Sequence, residues 1–222
     1  MIKLDKVTKS YMTLSGRKVV FRDLSFDIPD AVNVGLIGRN GAGKSTLMRL
    51  LSAVELPDSG KLSTRGRLSW PVGLRGGMQK NLTGRENVKF VCRILGIRRQ
   101  AMQQKIAYVR DFAEIGEHFD LPITNYSSGM RARLAFGTSM AFDFDYYLID
   151  EVMAVGDAKF KMKSKKVFKE RMKKSKVILV SHNMKLIERM SDVIVHLHEG
   201  QAKVYDNVRD GIDAYREVGG ER

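Results

Sequence analysis

Residues 38–45 read Gly-Arg-Asn-Gly-Ala-Gly-Lys-Ser, a spacing of glycines and a lysine that can bind nucleotide phosphates. The glycines allow backbone N–H groups to turn inward around phosphate oxygens, because no Cβ stands in the way. Lys44 then reaches the β- and γ-phosphates, Ser45 supplies a hydroxyl to Mg²⁺, and Thr46 can donate to a nearer phosphate. The predicted nucleotide-binding residues are Gly38, Arg39, Asn40, Gly41, Ala42, Gly43, Lys44, Ser45 and Thr46.

A pair of carboxylates follows an apolar stretch about a hundred residues after this loop. Residues 146–149 read Tyr-Tyr-Leu-Ile, and Asp150 and Glu151 come next. At the end of a strand, Asp150 can hold Mg²⁺ directly or through water, and Glu151 can polarise an attacking water. An acidic pair at the end of a strand is weak evidence by itself, because many strands end in acids. Its position about a hundred residues after the glycine loop is what makes the interpretation stronger. The loop alone does not choose among kinases, GTPases, helicases and transport ATPases, and the pair adds candidates for Mg²⁺ binding and for activation of a water.

Two weaker motifs surround this pair. Residues 125–130 read Asn-Tyr-Ser-Ser-Gly-Met at the start of an amphipathic stretch, where Ser127 or Ser128 can cap a helix and Gly129 permits close approach. Residues 180–183 read Val-Ser-His-Asn and place His182 after an apolar strand. Taken singly, an ordinary helix start and a structural histidine remain open alternatives.

The elements that position these motifs follow from hydrophobic periodicity. Alternation over 2–11 and 18–28 predicts two antiparallel strands, and the apolar stretch 32–37 predicts a buried strand that enters the glycine loop. Helical spacing follows over 44–53, with short strands around Leu62 and Leu68.

Helical periodicity returns over 84–95, 100–115 and 127–141 and predicts a mostly helical lobe. Strands and helices then alternate, which predicts a parallel sheet with crossover helices. The predicted segments are 146–149, 158–173, 177–180, 184–190, a hairpin of 193–197 and 201–205, and a final helix over 208–216.

In this order, the glycine loop, the Ser-Ser-Gly segment, the Asp-Glu pair and His182 resemble the ABC ATPase family across essentially the whole chain. The resemblance implies an α/β P-loop NTPase fold of the ABC type, with a RecA-like core, an antiparallel β-subdomain and an inserted α-helical lobe. It implies one ATP-binding domain over 1–222, whose core is 1–73 and 145–222 and whose helical lobe is about 78–142.

The resemblance also implies roles for individual residues. Ser128 and Gly129 match the family signature, which a second copy in a head-to-tail homodimer presents to the ATP. His182 matches the switch histidine that senses the γ-phosphate and is expected, with Glu151 and Lys44, in catalysis. Asp157 matches the acid of the loop that crosses the dimer interface. Tyr11 matches the aromatic residue that stacks on adenine.

One position departs from the family pattern. Leu74 stands where relatives usually carry a glutamine, and Gln79 lies five positions later, so a Mg²⁺ contact of Gln79 is doubtful. Residues 70–73, Trp-Pro-Val-Gly, and the Tyr-Ser-Ser-Gly-Met signature resemble the ATPases of capsular-polysaccharide exporters. The resemblance implies an integral membrane permease as partner, polysaccharide cargo contacted mainly by that permease, and a peripheral position on the cytoplasmic face of the bacterial inner membrane.

Composition indicates that any membrane role of the chain must run through a separate partner. The longest apolar stretches fall short of a membrane span, the N-terminus lacks the pattern of a signal peptide, and the single Cys92 fits a reducing compartment. The net charge is +14, and ten Lys/Arg against one acid lie between Lys159 and Lys176. This basic segment is either a solvated helix face or a surface for anionic lipid, an acidic polymer or nucleic acid. Nucleic acid is not expected, because few aromatic residues accompany the charges.

Three alternatives remain open at this point. A non-transport ABC ATPase of DNA repair or translation would need a long coiled-coil insertion or two cassettes, and neither is present in the sequence. Other cargoes, such as O-antigen, teichoic acid or a rhizobial surface polymer, fit the same ATPase. A small-molecule or nucleoside kinase would leave the Ser-Gly signature and His182 without a role.

Overall fold

The computed structural model describes residues 1–72, 78–150 and 157–219. Over these residues it contains eight strands and seven α-helices. The strands are β1 Ile2–Thr13, β2 Gly16–Ile28, β3 Val34–Gly38, β4 Ser59–Thr64, β5 Tyr146–Asp150, β6 Lys176–Val180, β7 Val193–His198 and β8 Gln201–Tyr205. The helices are α1 Lys44–Leu51, α2 Gly84–Ile94, α3 Arg99–Ala113, α4 Ser128–Ala141, α5 Ala158–Met172, α6 Met184–Met190 and α7 Val208–Glu217. Two short 3₁₀ helices cover Gly116–Asp120 and Ile123–Asn125.

Nearly all of these elements coincide with the predicted ones to within a few residues. The exception is the short strand expected around Leu68, which forms a single bridge with Tyr146 instead of a strand. The bridge is parallel and lies outside the three-stranded sheet that β4 completes.

The chain divides into two compact units. Unit 1 contains Met1–Pro71, Phe144–Glu151 and Ser175–Arg222, and unit 2 contains Val72–Asp143 and Val152–Lys174. Helix α5 therefore groups with the helices of unit 2, although the core of 145–222 that the resemblance implies includes it. Its buried Phe160 packs edge-on against Phe112 of α3, with ring centroids 5.3 Å apart.

Unit 1 contains two sheets. The first is antiparallel in the order β2-β1-β4, and buried Ile2, Leu4 and Val7 are separated by exposed residues in the first half of β1. The second has the order β5-β6-β3-β7-β8, in which all pairs are parallel except β7 with β8. Parallel strands bring their carboxyl ends to the same edge of a sheet, which is where ligands bind in folds of this class.

Unit 2 is formed by α2 to α5. Helix α2 begins with a capping box, in which Thr83 accepts from the Glu86 N–H and Glu86 accepts from the Thr83 N–H. Phe112 lies at the centre of the aromatic packing and stacks on Phe136 of α4, with centroids 5.8 Å apart. This packing holds α4, the helix whose N-terminus contains the Ser-Ser-Gly segment.

No helix among residues 1–72, 78–150 and 157–219 is long and apolar enough to cross a membrane.

Candidate functional site

The glycine loop joins the buried strand β3 to helix α1 in unit 1, as the sequence predicts. Gly38 and Gly43 both have positive φ, +155° and +100°. A Cβ on Gly38 would lie 2.5 Å from the Leu197 carbonyl oxygen, and a Cβ on Gly43 would lie 2.6 Å from Cζ of Phe21. Both positions therefore require glycine, and the loop holds its tight turn because neighbouring strands leave no room for a side chain.

Lys44 closes the loop over its own backbone. Its Nζ donates to the carbonyl oxygens of Gly38 at 2.6 Å and Arg39 at 3.1 Å. The ammonium group is thus held at the mouth of the loop by two neutral acceptors, which a phosphate oxygen can replace.

The first turn of α1 follows directly. It contains no acidic residue, so the positive end of the helix dipole is not neutralised from within the turn. Ser45 is exposed there, whereas Thr46 is buried and its hydroxyl lies 3.4 Å from the Arg49 guanidinium. An exposed hydroxyl and an open helix N-terminus form an anion site to which Ser45 can contribute.

A cleft of about 540 Å³ lies beside the loop in unit 1. Its wall includes the cations Lys18, Arg22 and Arg39, so it suits a polyanionic ligand. The remaining lining residues are Val19, Val20, Asn40, Gly41, Ala42, His198, Glu199, Gly200 and Gln201. Sequence reasoning found the loop residues but missed Lys18, Arg22 and the 198–201 turn, since no local motif marks them.

The register of the parallel sheet places Asp150 and His182 at the edge of the sheet where the glycine loop begins. Asp150 pairs with Val180, and Leu36 pairs with the same residue from the other side. Gly38 lies two residues beyond Leu36, and His182 lies two residues beyond Val180. The sheet therefore brings the loop, Asp150 and His182 to one edge of unit 1.

Tyr11 lies near the end of β1 and is half-buried. Its hydroxyl donates to the Glu55 carboxylate and accepts from Nη2 of Arg49 at 3.2 Å. Because Arg49 belongs to α1, the ring is tied to the helix that begins at the glycine loop. Arg49 and Glu55 were not predicted as site residues, and their separation from Tyr11 in sequence explains why.

The Ser-Ser-Gly segment forms the N-terminus of α4 in unit 2. Ser127 is the capping residue, and its Oγ accepts from the Met130 N–H at 3.2 Å. The exposed Ser128 is then the first helical residue, and a Cβ on Gly129 would meet only the Ser127 hydroxyl, at 3.8 Å. Together with the absence of an acid in the first turn, this arrangement leaves a second open helix N-terminus.

Asp157 caps α5 in unit 2. Its Oδ1 accepts from the Phe160 N–H at 2.9 Å, and its Oδ2 accepts from Nη2 of Arg133 at 2.5 Å. The hydrogen bond from Phe160 and the charge of Arg133 hold the pKa of the Asp157 carboxyl below its ordinary value. Within unit 2, Asp157 therefore caps α5 and pairs with Arg133. Its side chain is exposed.

Gln79 also lies in unit 2, where its backbone is fixed by Asn87. The Asn87 side chain accepts from the Gln79 N–H at 2.8 Å and donates to its carbonyl oxygen at 3.1 Å. The Gln79 side chain is exposed. Glu151 and Leu74 lie outside the described residues.

Magnesium fits the oxygen donors at the sheet edge. Among residues 1–72, 78–150 and 157–219, no cluster of three His, Cys, Asp or Glu side chains forms a metal site. The Ser45 hydroxyl and the Asp150 carboxylate are hard oxygen ligands at the edge that also holds the glycine loop. Mg²⁺ is commonly held by one or two protein oxygens together with substrate phosphates, which suits such a sparse set.

A family model and curated relatives match the chain over most of its length. The family model described as ABC transporter matches residues 21–154. The polysialic acid transport ATP-binding protein KpsT of Escherichia coli is 53% identical over 97% of this chain and 96% of its own. The capsule polysaccharide export ATP-binding protein CtrD of Neisseria meningitidis is 39% identical over 98% of this chain and all of its own.

A solved structure confirms the fold. A dimeric ATP-binding cassette in a post-hydrolysis state, bound to ADP and Pi, has a TM-score of 0.70 over 92% of this chain and 98% of its own, at 20% identity. The predicted α/β cassette fold is therefore confirmed.

Proposed function

The chain belongs to the ABC transporter family, and from this premise we propose that it is the ATP-hydrolysing subunit that powers export of a capsular polysaccharide. The polymer crosses the inner membrane through a separate permease. The observation that carries the proposal is the 53% identity to a polysialic acid transport ATP-binding protein along nearly the whole of both chains. The geometry of the glycine loop supports the nucleotide part of the proposal independently.

Nucleotide binding relies on the loop and on Lys44. The N–H groups of the loop and the N-terminus of α1 surround the phosphates, and the Lys44 ammonium exchanges a backbone carbonyl for a phosphate oxygen. Tyr11 stacks on the adenine. The cations of the neighbouring cleft, Lys18, Arg22 and Arg39, increase the local attraction for a polyanion.

Hydrolysis is proposed at the carboxyl edge of the sheet. Ser45 and Asp150 would hold Mg²⁺, which would neutralise charge on the phosphates. Glu151 follows Asp150 directly and orients the attacking water as general base. His182 contacts the γ-phosphate and so distinguishes ATP from ADP. Lys44 stabilises the charge that develops as the γ-phosphoryl group leaves.

The complete site is proposed to need a second copy of the chain. Ser128, Gly129 and the open N-terminus of α4 form an anion site in unit 2, whereas Lys44 belongs to unit 1. A head-to-tail dimer brings the α4 terminus of one copy to the ATP on the other copy. The dimeric state of the solved cassette of the same fold supports this arrangement. Loss of the γ-phosphate then removes contacts and opens the dimer.

A permease helix is proposed to dock on unit 2, which places the subunit on the cytoplasmic face of the inner membrane. Phe90 and Ile94 lie one turn apart on α2 and are 39% and 67% exposed. A groove of about 440 Å³ lies in the same unit. Its lining residues are Met78, Lys80, Ile123, Thr124, Arg131 and Ala135. Apolar surface of this kind suits an amphipathic helix of the membrane partner, with Leu82 and Val91 as further contacts.

The decisive experiment combines cells and purified protein. In a strain that synthesises the polymer, Glu151→Gln should leave ATP binding intact, slow hydrolysis about a hundredfold or more, and cause polymer to accumulate inside the cell. Lys44→Ala should instead weaken nucleotide binding itself, measured by calorimetry. Wild-type amounts of surface polymer in the Glu151→Gln strain would contradict export by this subunit. Unchanged affinity in Lys44→Ala would contradict the loop assignment.

A further inference from the structure

Helix α5 and the residues after it contain the densest charge in the chain. Between Lys159 and Lys176 there are ten Lys/Arg and a single acid, Glu170. The proposed ATPase and permease contacts give this charge no role. In the structure, some of these cations form hydrogen bonds and ion pairs within unit 2, and the others are exposed to solvent.

Two cations of α5 anchor the helix within unit 2. Lys163 donates to the Phe112 carbonyl oxygen at 3.0 Å and pairs with Glu114 at 2.7 Å. Arg171 donates to the Met140 carbonyl oxygen at 2.7 Å and pairs with Asp143. These two side chains neutralise the carboxyl ends of α3 and α4, where cations are favourable.

Most of the other cations point to solvent. Lys173 forms an ion pair with Glu170 at 2.8 Å, and Lys163 forms one with Glu114. These two nearby acids are therefore already paired. Between Lys159 and Lys176, the exposed lysines that form no ion pair with a described residue are Lys159, Lys161, Lys165, Lys166, Lys169 and Lys174. A solvated helix face normally alternates charge signs, and this one does not.

The exposed side chains form one stripe. Met162, Lys165, Lys166 and Lys169 follow the spacing i, i+3, i+4, i+7 and therefore lie on one face of α5. We call this set the α5 stripe. The opposite face carries the buried Phe160, Ser164 and Phe168. Met162 is 70% exposed, so the stripe presents an apolar side chain beside three unpaired ammonium groups.

We propose that the α5 stripe is a docking surface for the anionic phospholipid headgroups of the membrane. Lysine is a flexible point charge that suits mobile headgroups, and each lysine near an anionic bilayer adds attraction. Met162 can insert among the headgroups, as exposed apolar residues of membrane-surface helices do. The aromatic residues of α5 are buried, so single-stranded nucleic acid finds no stacking platform on this face.

The contact is independent of the permease and of ATP, so purified full-length chain tests it. Vesicles of phosphatidylcholine mixed with phosphatidylglycerol should bind the wild-type protein in flotation, and vesicles of phosphatidylcholine alone should not. Raising the salt concentration should release it, because screening acts on exposed charges. The triple variant Lys165→Gln, Lys166→Gln, Lys169→Gln should bind about a hundredfold more weakly. Its ATPase turnover and thermal midpoint should match those of the wild type.

A charge-matched control separates the stripe from net charge. Lys3→Gln, Lys61→Gln, Arg65→Gln removes three exposed cations around the antiparallel sheet of unit 1 and should keep wild-type vesicle binding. An equal loss of binding in the control and the stripe variant would overturn the proposal, as would binding of the wild type to neutral vesicles. Tighter binding of a DNA duplex than of anionic vesicles, lost in the stripe variant, would assign the face to nucleic acid and also overturn it.

Discussion

The Tyr11 hydroxyl donates a hydrogen bond to the carboxylate of Glu55. Arg49 completes this contact, because its Nε lies 2.8 Å from Glu55 and its Nη2 donates to the Tyr11 hydroxyl. The β1 residue proposed to stack on adenine is thus held by the helix that begins at the phosphate-binding loop. The Tyr11 ring and the phosphate-binding loop are therefore held in place relative to each other before the nucleotide binds. This reduces the conformational entropy that is lost on binding.

Tyr11→Ala should weaken ATP binding about tenfold or more, because stacking of a base on an aromatic ring is worth about 1–3 kcal/mol. Tyr11→Phe keeps the ring and loses the bonds of its hydroxyl to Glu55 and Arg49, so its affinity should lie between that of the alanine variant and that of the wild type. Calorimetry with ATP measures both. Equal affinity of Tyr11→Ala and wild type would exclude the stacking role.

Gly43→Ala should destabilise the nucleotide-free protein more than Gly41→Ala does. Both glycines have positive φ, but a Cβ at Gly41 meets open space, whereas one at Gly43 meets the buried Phe21 ring at 2.6 Å. Overpacking of this kind costs about 1–3 kcal/mol beyond the shared backbone strain. Urea denaturation without nucleotide compares the two free energies of unfolding. The same loss in both variants would show that Phe21 moves aside freely.

The sequence was sufficient for the order of elements and for the loop, because both depend on local periodicity. Residues 38–45, the strand before them and the helix after them all follow from patterns within about twenty residues. Contacts between side chains that are far apart in the sequence could not be predicted from it. The pairs Tyr11–Glu55 and Arg133–Asp157 are 44 and 24 residues apart, and no periodicity connects their members. The choice of Ser127 over Ser128 as cap also needed backbone angles, since both side chains can make the same bond.

The grouping of α5 with unit 2 shows a second limit. A helix between two parallel strands is expected to cover their sheet, and β5 and β6 are such strands. The aromatic packing of Phe160 on Phe112 and the bonds of Lys163 and Arg171 to carbonyl groups of unit 2 are the contacts that group α5 with unit 2. Such tertiary contacts are invisible to a pattern of apolar residues along one helix.

His196 should make the fold less stable as the pH falls below neutrality. Its ring is 6% exposed and packs edge-on against Tyr215, and its Nε2 has no hydrogen-bond partner among the described residues. Burial lowers the pKa of His196, and the neighbouring His198 lowers it further. The unfolded chain therefore takes up a proton first.

Above the ordinary histidine pKa the two states bind protons equally at this residue, so the penalty is absent. It grows as the pH falls below the ordinary histidine pKa of about 6.5 and towards the lowered pKa of the folded state, by at most about 1.4 kcal/mol per pH unit. His196→Phe keeps a ring against Tyr215 but cannot titrate, so its free energy of unfolding should fall less over this range. Urea denaturation at several pH values gives both slopes, and parallel slopes would contradict the assignment.

Two inactive variants should restore hydrolysis when they are mixed. Lys44→Ala disables the phosphate-binding loop in unit 1. Ser128→Glu places a carboxylate at the first residue of α4, where it suits the helix dipole and preserves the fold but repels a phosphate. Each variant alone should hydrolyse ATP at a small fraction of the wild-type rate, because every site in its homodimer carries one defect.

In a head-to-tail heterodimer of the two variants, both defects fall in the same site. The other site combines the intact Lys44 of one copy with the intact Ser128 of its partner. Equal mixing makes about half of the dimers mixed, each with one working site of two, so about a quarter of the wild-type rate should return if the sites act independently. A site completed within a single chain gives no recovery on mixing, because each chain keeps its own defect. The recovered rate therefore reports directly whether Lys44 of one copy depends on Ser128 of the other.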